Sequence, residues 1–238
     1  MSSPALTREK SNIPPDLLQQ LTTLAKFKDR SHKTCHETHL PILKYTKSLS
    51  GVLLGDSMIE RFLTTGSSTQ IAQLPSSLNA GCGGDKISNL IYRLLIMLPY
   101  LPSDVKVWVL MMGTNDLGKK KAVKDEDVDA YGVLVRALCE VVPKSNVLVC
   151  GVFERKDVLD DCVRETNGKL RGMVERLGDR VRWLEPPRLE KELHLDDHVH
   201  LNGVGYEVWD GVLVENIREM LGQKEVLKDN DLWKDLDG

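Results

Sequence analysis

From residue 50 onward, short and nearly continuous apolar runs alternate with segments whose apolar residues recur every three or four positions. Gly51 to Leu54 is the first run and ends at Gly55; Ile59, Phe62 and Leu63 follow on one helical face. Leu78-Asn79-Ala80 leads into a glycine cluster, and Ile87, Leu90, Ile91, Leu94, Leu95 and Leu98 then predict an amphipathic helix. Val105 to Met112 is the most continuous apolar stretch, as expected of a strand buried on both faces of a parallel sheet. The same reasoning predicts helices over 128–142, 160–177 and 204–221, and strands over 146–153 and 180–184. Strand-helix alternation repeated about five times predicts an α/β fold: a three-layer α/β/α arrangement around a parallel sheet of about five strands.

The two ends of the chain depart from this rhythm. Residues 1–14 are polar and predict disorder, after which Pro14-Pro15-Asp16 opens a helix carrying Leu17, Leu18, Leu21, Leu24 and Ala25. That helix is expected to pack on the outside of the domain as an accessory. Lys224 to Gly238 is charged and reads as a loosely held tail. The expected organisation is an N-terminal extension over 1–49, a main domain over 50–222 and a tail over 223–238.

Composition narrows the class. A hydrophobic content of 41% supplies a sizeable core, and a net charge of -3 argues against a nucleic-acid binder. Five cysteines (Cys35, Cys82, Cys139, Cys150, Cys162) lack paired spacing and read as reduced thiols. No apolar leader opens the sequence, and no apolar run approaches the roughly 20 residues of a membrane span. A soluble, cytoplasmic protein is expected, whose oligomeric state the sequence does not reveal.

Four segments fall at the carboxyl ends of predicted strands or at the helix starts beyond them, where open α/β sheets bind their ligands. They are Gly55-Asp56-Ser57, Asn79 to Asp85, Gly113-Thr114-Asn115-Asp116, and Asp197-His198-Val199-His200. Each has an ordinary structural reading. Ser57 and Glu60 have the spacing of a helix capping box. Gly81, Gly83 and Gly84 suit a tight loop with Asp85 as a helix N-cap. Asn115-Asp116 suits a turn, and Asp197 with His200 a surface pair, with Asn202 capping the last helix.

Taken in order, the four segments are similar to the conserved blocks of the SGNH hydrolases, also called the GDSL esterase/lipase family. The resemblance runs from about residue 50 to 221. The wording Asn79-x-Gly81-x-Gly83-Gly84-Asp85 resembles the branch that holds the catalytic subunits of intracellular platelet-activating-factor acetylhydrolase. The last block departs from the common wording: His198 and Leu201 stand where many relatives have glycine and proline, while Asn202, Gly205 and Tyr206 agree.

The resemblance implies a flavodoxin-like sheet and an ester hydrolase that works through an acyl-Ser57 intermediate without a cofactor. The chemistry fits these residue types. A serine hydroxyl is a weak nucleophile until a base takes its proton, a role for His200, whose imidazole Asp197 would orient. Ser57 N–H, Gly84 N–H and the Asn115 side-chain amide would stabilise the oxyanion, and Gly84 has no Cβ to block close approach. A small-molecule ester with a short acyl or acetyl group is the expected substrate, since no long lid insertion is evident. Two alternatives stay open: a non-catalytic protein-binding module on the same fold, and an acyltransferase using the same residues.

Other motifs carry less. Gly113 to Lys119 matches most of a phosphate-binding loop, but Lys120 stands where a serine or threonine must hold magnesium. Lys86 replaces the third glycine of a dinucleotide loop, and Ile59 the second glycine of a Gly-x-Ser-x-Gly elbow. His194, Asp196, Asp197, His198 and His200 could assemble a metal centre, as could His32, Cys35, His36 and His39. Neither set has a recognised ligand spacing, so no metal is expected. Lys119-Lys120-Lys121 reads as a solvated loop near the site's rim.

Overall fold

The computed structural model describes residues 13–222; residues 1–12 and 223–238, which hold most of the polar start and the charged tail, lie outside it. Five strands form one sheet: β1 (Gly51–Gly55), β2 (Ser77–Gly81), β3 (Val107–Met111), β4 (Asn146–Cys150) and β5 (Val181–Leu184). Their order is β2-β1-β3-β4-β5, and every neighbouring pair is parallel. Helices α1 (Pro15–Leu24), α2 (Asp29–Thr34) and α3 (Leu40–Tyr45) precede the sheet, with one π-helical turn at Cys35–His39. Then come α4 (Ser57–Glu60), α5 (Ile87–Met97), α6 (Asp125–Val141), α7 (Asp160–Glu175), α8 (Lys191–His194) and α9 (Gly203–Met220).

The apolar runs become strands because helices cover both sides of the sheet. Val107, Val109 and Met111 enter one hydrophobic layer, with Ile59 and Phe62 from around α4 and Trp209, Leu213 and Ile217 of α9. Trp108 and Leu110 enter the other, with Leu90, Leu94, Leu134, Leu138 and Leu170 from α5, α6 and α7. The expected three-layer sandwich is therefore present, and the period-2 alternation of β3 decides which side chain meets which layer.

The predicted β3, β4 and β5 overrun the observed strands by one to three residues, furthest at the end of β4. The sequence pattern carries β4 to Phe153, but pairing stops at Cys150. Beyond it, the Asn167 side-chain amide takes both the N–H and the C=O of Val152, each at 2.9 Å, in place of a neighbouring strand.

The N-terminal segment is more than an outer cover. α1 lies over α5 and α6, burying Leu17 and Leu21, and Cys35, Leu40 and Leu43 join the same layer. Its histidines sit on a continuous helical stretch rather than around a common centre: His32 bonds Tyr92 at 2.9 Å and packs at a tilt against His36.

The connectivity makes the site. From β1 the chain crosses to β2 on one side, then returns past β1 to β3 on the other. Such a reversal leaves a crevice beyond the carboxyl ends of β1 and β3, whose last residues Gly55 and Met111 are in register.

Candidate active site

Ser57 is the first residue of α4, directly beyond β1. The helix cap lies one residue earlier than the expected capping box. Asp56 is the N-cap, and its carboxylate accepts from Met58 N–H at 2.9 Å. Glu60 does not close a box either; it pairs with Arg30 at 3.0 Å. The correction matters chemically, because the Ser57 hydroxyl is not spent on the backbone. Both layers fix the short helix: Asn79 of β2 donates to Ile59 O and Tyr206 of α9 to Met58 O, each at 2.8 Å. Gly81 is needed where β2 passes under this turn, since a Cβ there would come within 2.2 Å of Glu60 N.

His200 and Asp197 reach the same place from a closed loop between α8 and α9. Leu195 and Leu201 bridge its two arms, and Asp196 N–H donates to His200 O at 2.8 Å. His200 Nε2 lies 2.9 Å from Ser57 Oγ, and its Nδ1 lies 2.7 Å from Asp197 Oδ2. The other Asp197 oxygen accepts from the backbone N–H groups of Val199 and His200, each at 2.7 Å. Burial alone would raise the Asp197 carboxyl, but the His200 ring and these amides overcome it and hold it well below the usual carboxylate range. Asn202 caps α9 as expected, accepting from Gly205 N–H at 2.9 Å.

His198 points elsewhere. It is exposed, and its Nε2 lies 3.8 Å from Asp157 rather than at Ser57. His194 turns back onto the Glu190 backbone, and Asp196 onto Arg61. Among the described residues, no three histidine, cysteine, aspartate or glutamate side chains converge as a metal site.

Gly84 and Asn115 sit beyond the ends of β2 and β3, flanking β1. The Asn115 amide donates to Asp85 O at 2.9 Å and, more weakly, to Asp56 Oδ2 at 3.4 Å. It thereby ties the loop after β3 to the glycine loop. Ser57 N–H is the first of the orphan donors of α4. Asp85 departs from its expected role, since Lys86 occupies the N-cap of α5. The Asp85 carboxylate is instead fully buried and receives Arg93 Nε at 2.7 Å. Arg93 also donates to Ala80 O at 2.7 Å and Gly55 O at 3.0 Å, linking the ends of β1 and β2 to the loop.

Sequence reasoning overlooked Arg93, although it had a signal: an arginine three residues after Leu90 and four after Asn89, on the shoulder of an apolar stripe. Arg155, which donates to Thr114 O at 2.8 Å and braces the Asn115 loop, had no such signal. Its position after β4 depends on the sheet order.

Two carboxyls behind the site are raised. Burial pushes Asp56 up to about 7, against the Met58 N–H bond, and burial pushes Asp116 up to about 6. In the unfolded chain both release protons near pH 4. Between there and pH 7 the native state holds more protons than the unfolded state, so stability falls as pH rises through that window. The depressed Asp197 acts with the opposite sign, its contribution being lost only as pH falls below 4. Urea midpoints measured from pH 4 to 8 should decline less in Asp116→Asn than in wild type; identical slopes would contradict the burial effect.

Residues 53–208 match the GDSL-like lipase/acylhydrolase family. No curated protein matches the chain. Among solved structures, it resembles one provisionally described as a platelet activating factor from Streptococcus pneumonia. The identity is 16%, over 84% of this chain and 94% of that one, and the TM-score is 0.62. It also resembles Est24, a carbohydrate acetylesterase from Sinorhizobium meliloti, at 15% identity over 73% of this chain and 100% of that one, with a TM-score of 0.55. A family 3 carbohydrate esterase from Clostridium thermocellum is similar at 16% identity over 75% and 100%, with a TM-score of 0.54. Likeness at these identities speaks for a shared fold, whereas the family match spans most of the chain and covers all four site segments: the protein belongs to the GDSL-like lipase/acylhydrolase family and is a hydrolase of the SGNH type.

Proposed function

We propose that this hydrolase cleaves short-acyl carboxylic esters through an acyl-Ser57 intermediate. The observation that carries the reading is the unbroken line Asp197–His200–Ser57, with contacts of 2.7 and 2.9 Å. Ser57 Oγ attacks the ester carbonyl while its proton passes to His200 Nε2, forming an Oγ–C bond and a tetrahedral oxyanion. Asp197 holds Nδ1–H and stabilises the imidazolium. Ser57 N–H, Gly84 N–H and the Asn115 amide, which exchanges its long 3.4 Å contact with Asp56 for the oxyanion, offset the developing charge. Collapse breaks the bond to the leaving oxygen, which departs as the alcohol with the His200 proton. Water then repeats the sequence on acyl-Ser57 and releases the acid.

The preference for short acyl groups rests on exposure. Ser57 and His200 are only half-buried, and Gly84 is exposed, so the nucleophile lies at a sheet edge open to solvent. Activity on p-nitrophenyl acetate is expected to exceed that on the laurate ester by about tenfold or more in kcat/KM, because a shallow site supplies little apolar surface for a long chain. A fluorophosphonate should label Ser57 covalently, as read by peptide mass spectrometry. An adduct confined to another residue would sink the assignment. Added methanol separates the acyltransferase alternative, which would yield methyl ester in place of acid.

A further inference from the structure

The glycine loop is held from outside by the N-terminal segment, and the grip is specific. Cys82 to Asp85 form a tight turn closed by Asp85 N–H donating to Cys82 O at 3.2 Å. Gly84, the third residue of that turn, has φ of +75°, whereas Gly83 is not in the positive region. This combination is a type II turn, whose third residue takes φ of about +80°. A type II turn converts to type I by rotating its central peptide. Here that is the Gly83–Gly84 peptide, and its N–H is the proposed oxyanion donor. With glycine at both central positions the turn itself resists that rotation weakly.

Lys28, the N-cap of α2, with Arg30 and Ser31 in its first turn, meets Gly83, Gly84 and Asp85 of the turn. Lys28 Nζ donates to Gly84 O at 2.5 Å. Arg30, paired with Glu60, lies so close over Gly83 that a Cβ there would meet its guanidinium and the Glu60 carboxylate at 2.7 Å. The Ser31 hydroxyl donates to the Asp85 carboxylate at 2.5 Å, and Ser31 is fully buried. The segment is itself anchored to the start of α5, where Lys26 N–H donates to Ser88 O and the Asn89 amide to Lys26 O, each at 2.9 Å. The polar contacts fall on two successive residues of one turn, Gly84 and Asp85, and Lys28 Nζ also lies 3.7 Å from the Asp85 carboxylate.

We propose that Lys28 and Ser31 are positioning residues that anchor the Gly84–Asp85 side of the Cys82–Asp85 turn, and so hold Gly84 where its N–H meets the oxyanion. The inference rests on the acyl-serine reading. Lys28→Met removes the outer anchor of the Gly84–Asp85 peptide, so Gly84 and the N–H it carries are held in place only part of the time. The expected result is a fall in kcat of about 10- to 100-fold on p-nitrophenyl acetate, less than or comparable to outright loss of one oxyanion donor. KM should change by less than about threefold, because the contact matters after the ground state. Lys28→Arg, which can still donate to Gly84 O, should restore most of the rate. Ser31→Ala should add to the loss, and fluorophosphonate labelling of Ser57 should slow in parallel.

Wild-type kcat in the Lys28→Met, Ser31→Ala double variant would overturn the proposal. So would a loss confined to KM, or a loss that Lys28→Arg does not relieve. Ser57→Ala, assayed alongside, keeps the two readings apart. If it is inactive while the double variant is fully active, the clamp alone falls. If Ser57→Ala turns over as fast as wild type, the nucleophile assignment falls and the clamp with it.

Discussion

Replacing His200 by alanine is expected to reduce kcat on p-nitrophenyl acetate by about 10⁴-fold or more, and Ser57→Ala to do the same. His198→Ala should keep at least about half of the wild-type rate, since its ring is exposed and directed at Asp157. The contrast is sharp because the two imidazoles are separated by one residue and differ only in where the loop points them. Asp197 Oδ1 collects the Val199 and His200 amides, and this local turn delivers the His200 ring to Ser57. Asp197→Asn should cost about 10³- to 10⁴-fold, because the amide can present the wrong group to Nδ1. Because the three residues act as a unit, the double variant Ser57→Ala, His200→Ala should be scarcely worse than either single change. Steady-state kinetics on the purified variants decide it. Full loss in His198→Ala with activity retained in His200→Ala would reverse the assignment of the base.

Arg93→Met is expected to destabilise the fold more than any other single change near the site. The Arg93 and Asp85 side chains are both fully buried and 2.7 Å apart, so deleting the cation leaves an uncompensated carboxylate in the core. Breaking such a pair costs about 3–5 kcal/mol. For a protein of this length that corresponds to a fall of roughly 6–20 °C in thermal midpoint. The carbonyls of Gly55 and Ala80 lose their donor in the same change. Removing both partners, as Arg93→Met with Asp85→Leu, should be less destabilising than the sum of the single changes, because no unpaired charge remains buried. Strict additivity in calorimetry would show that the pair does not carry the effect. The buried arginine also explains how the strand ends and the loop stay in register: one guanidinium spans β1, β2 and the turn that follows β2.

The two predictions touch different layers of the same site. The first concerns groups that change protonation or bonding during turnover. The second concerns a network that only holds them, together with the α2 contacts to Gly84 and Asp85. Failure of stability in Arg93→Met would be accompanied by lost activity, yet labelling of the surviving folded fraction should still occur at Ser57. In Ser57→Ala the thermal midpoint should shift little while labelling disappears.

Much of the fold was legible in the apolar pattern. The five strands and the helices over 87–98, 128–142, 160–177 and 204–221 lie where the periodicity puts them, to within a few residues. Burial on both sheet faces requires continuous apolar runs, and burial on one helix face requires the 3.6-residue repeat, so both leave an imprint on local sequence. Where side chains substitute for regular partners, the imprint fails. Asn167 ends β4 early, and nothing in the run Val147 to Phe153 anticipates an amide from a helix. The Ser57–Glu60 spacing suggested a capping box, but Asp56 is the cap, its carboxylate meeting Met58 N–H two residues on once β1 ends at Gly55.

The sequence by itself determined the alternating α/β architecture and the residue types that a serine hydrolase needs, in the order its family presents them. These are properties of short segments: an apolar run, a glycine cluster, an aspartate three residues before a histidine. The tertiary structure alone decided which imidazole meets Ser57, that Asp85 pairs with Arg93 instead of capping α5, and that residues 28–31 lie across the glycine turn. Those contacts join residues from 8 to 143 positions apart in the chain. Their energies come from burial and from polar groups finding partners in the folded chain, and neither exists until the sheet order has brought the segments together.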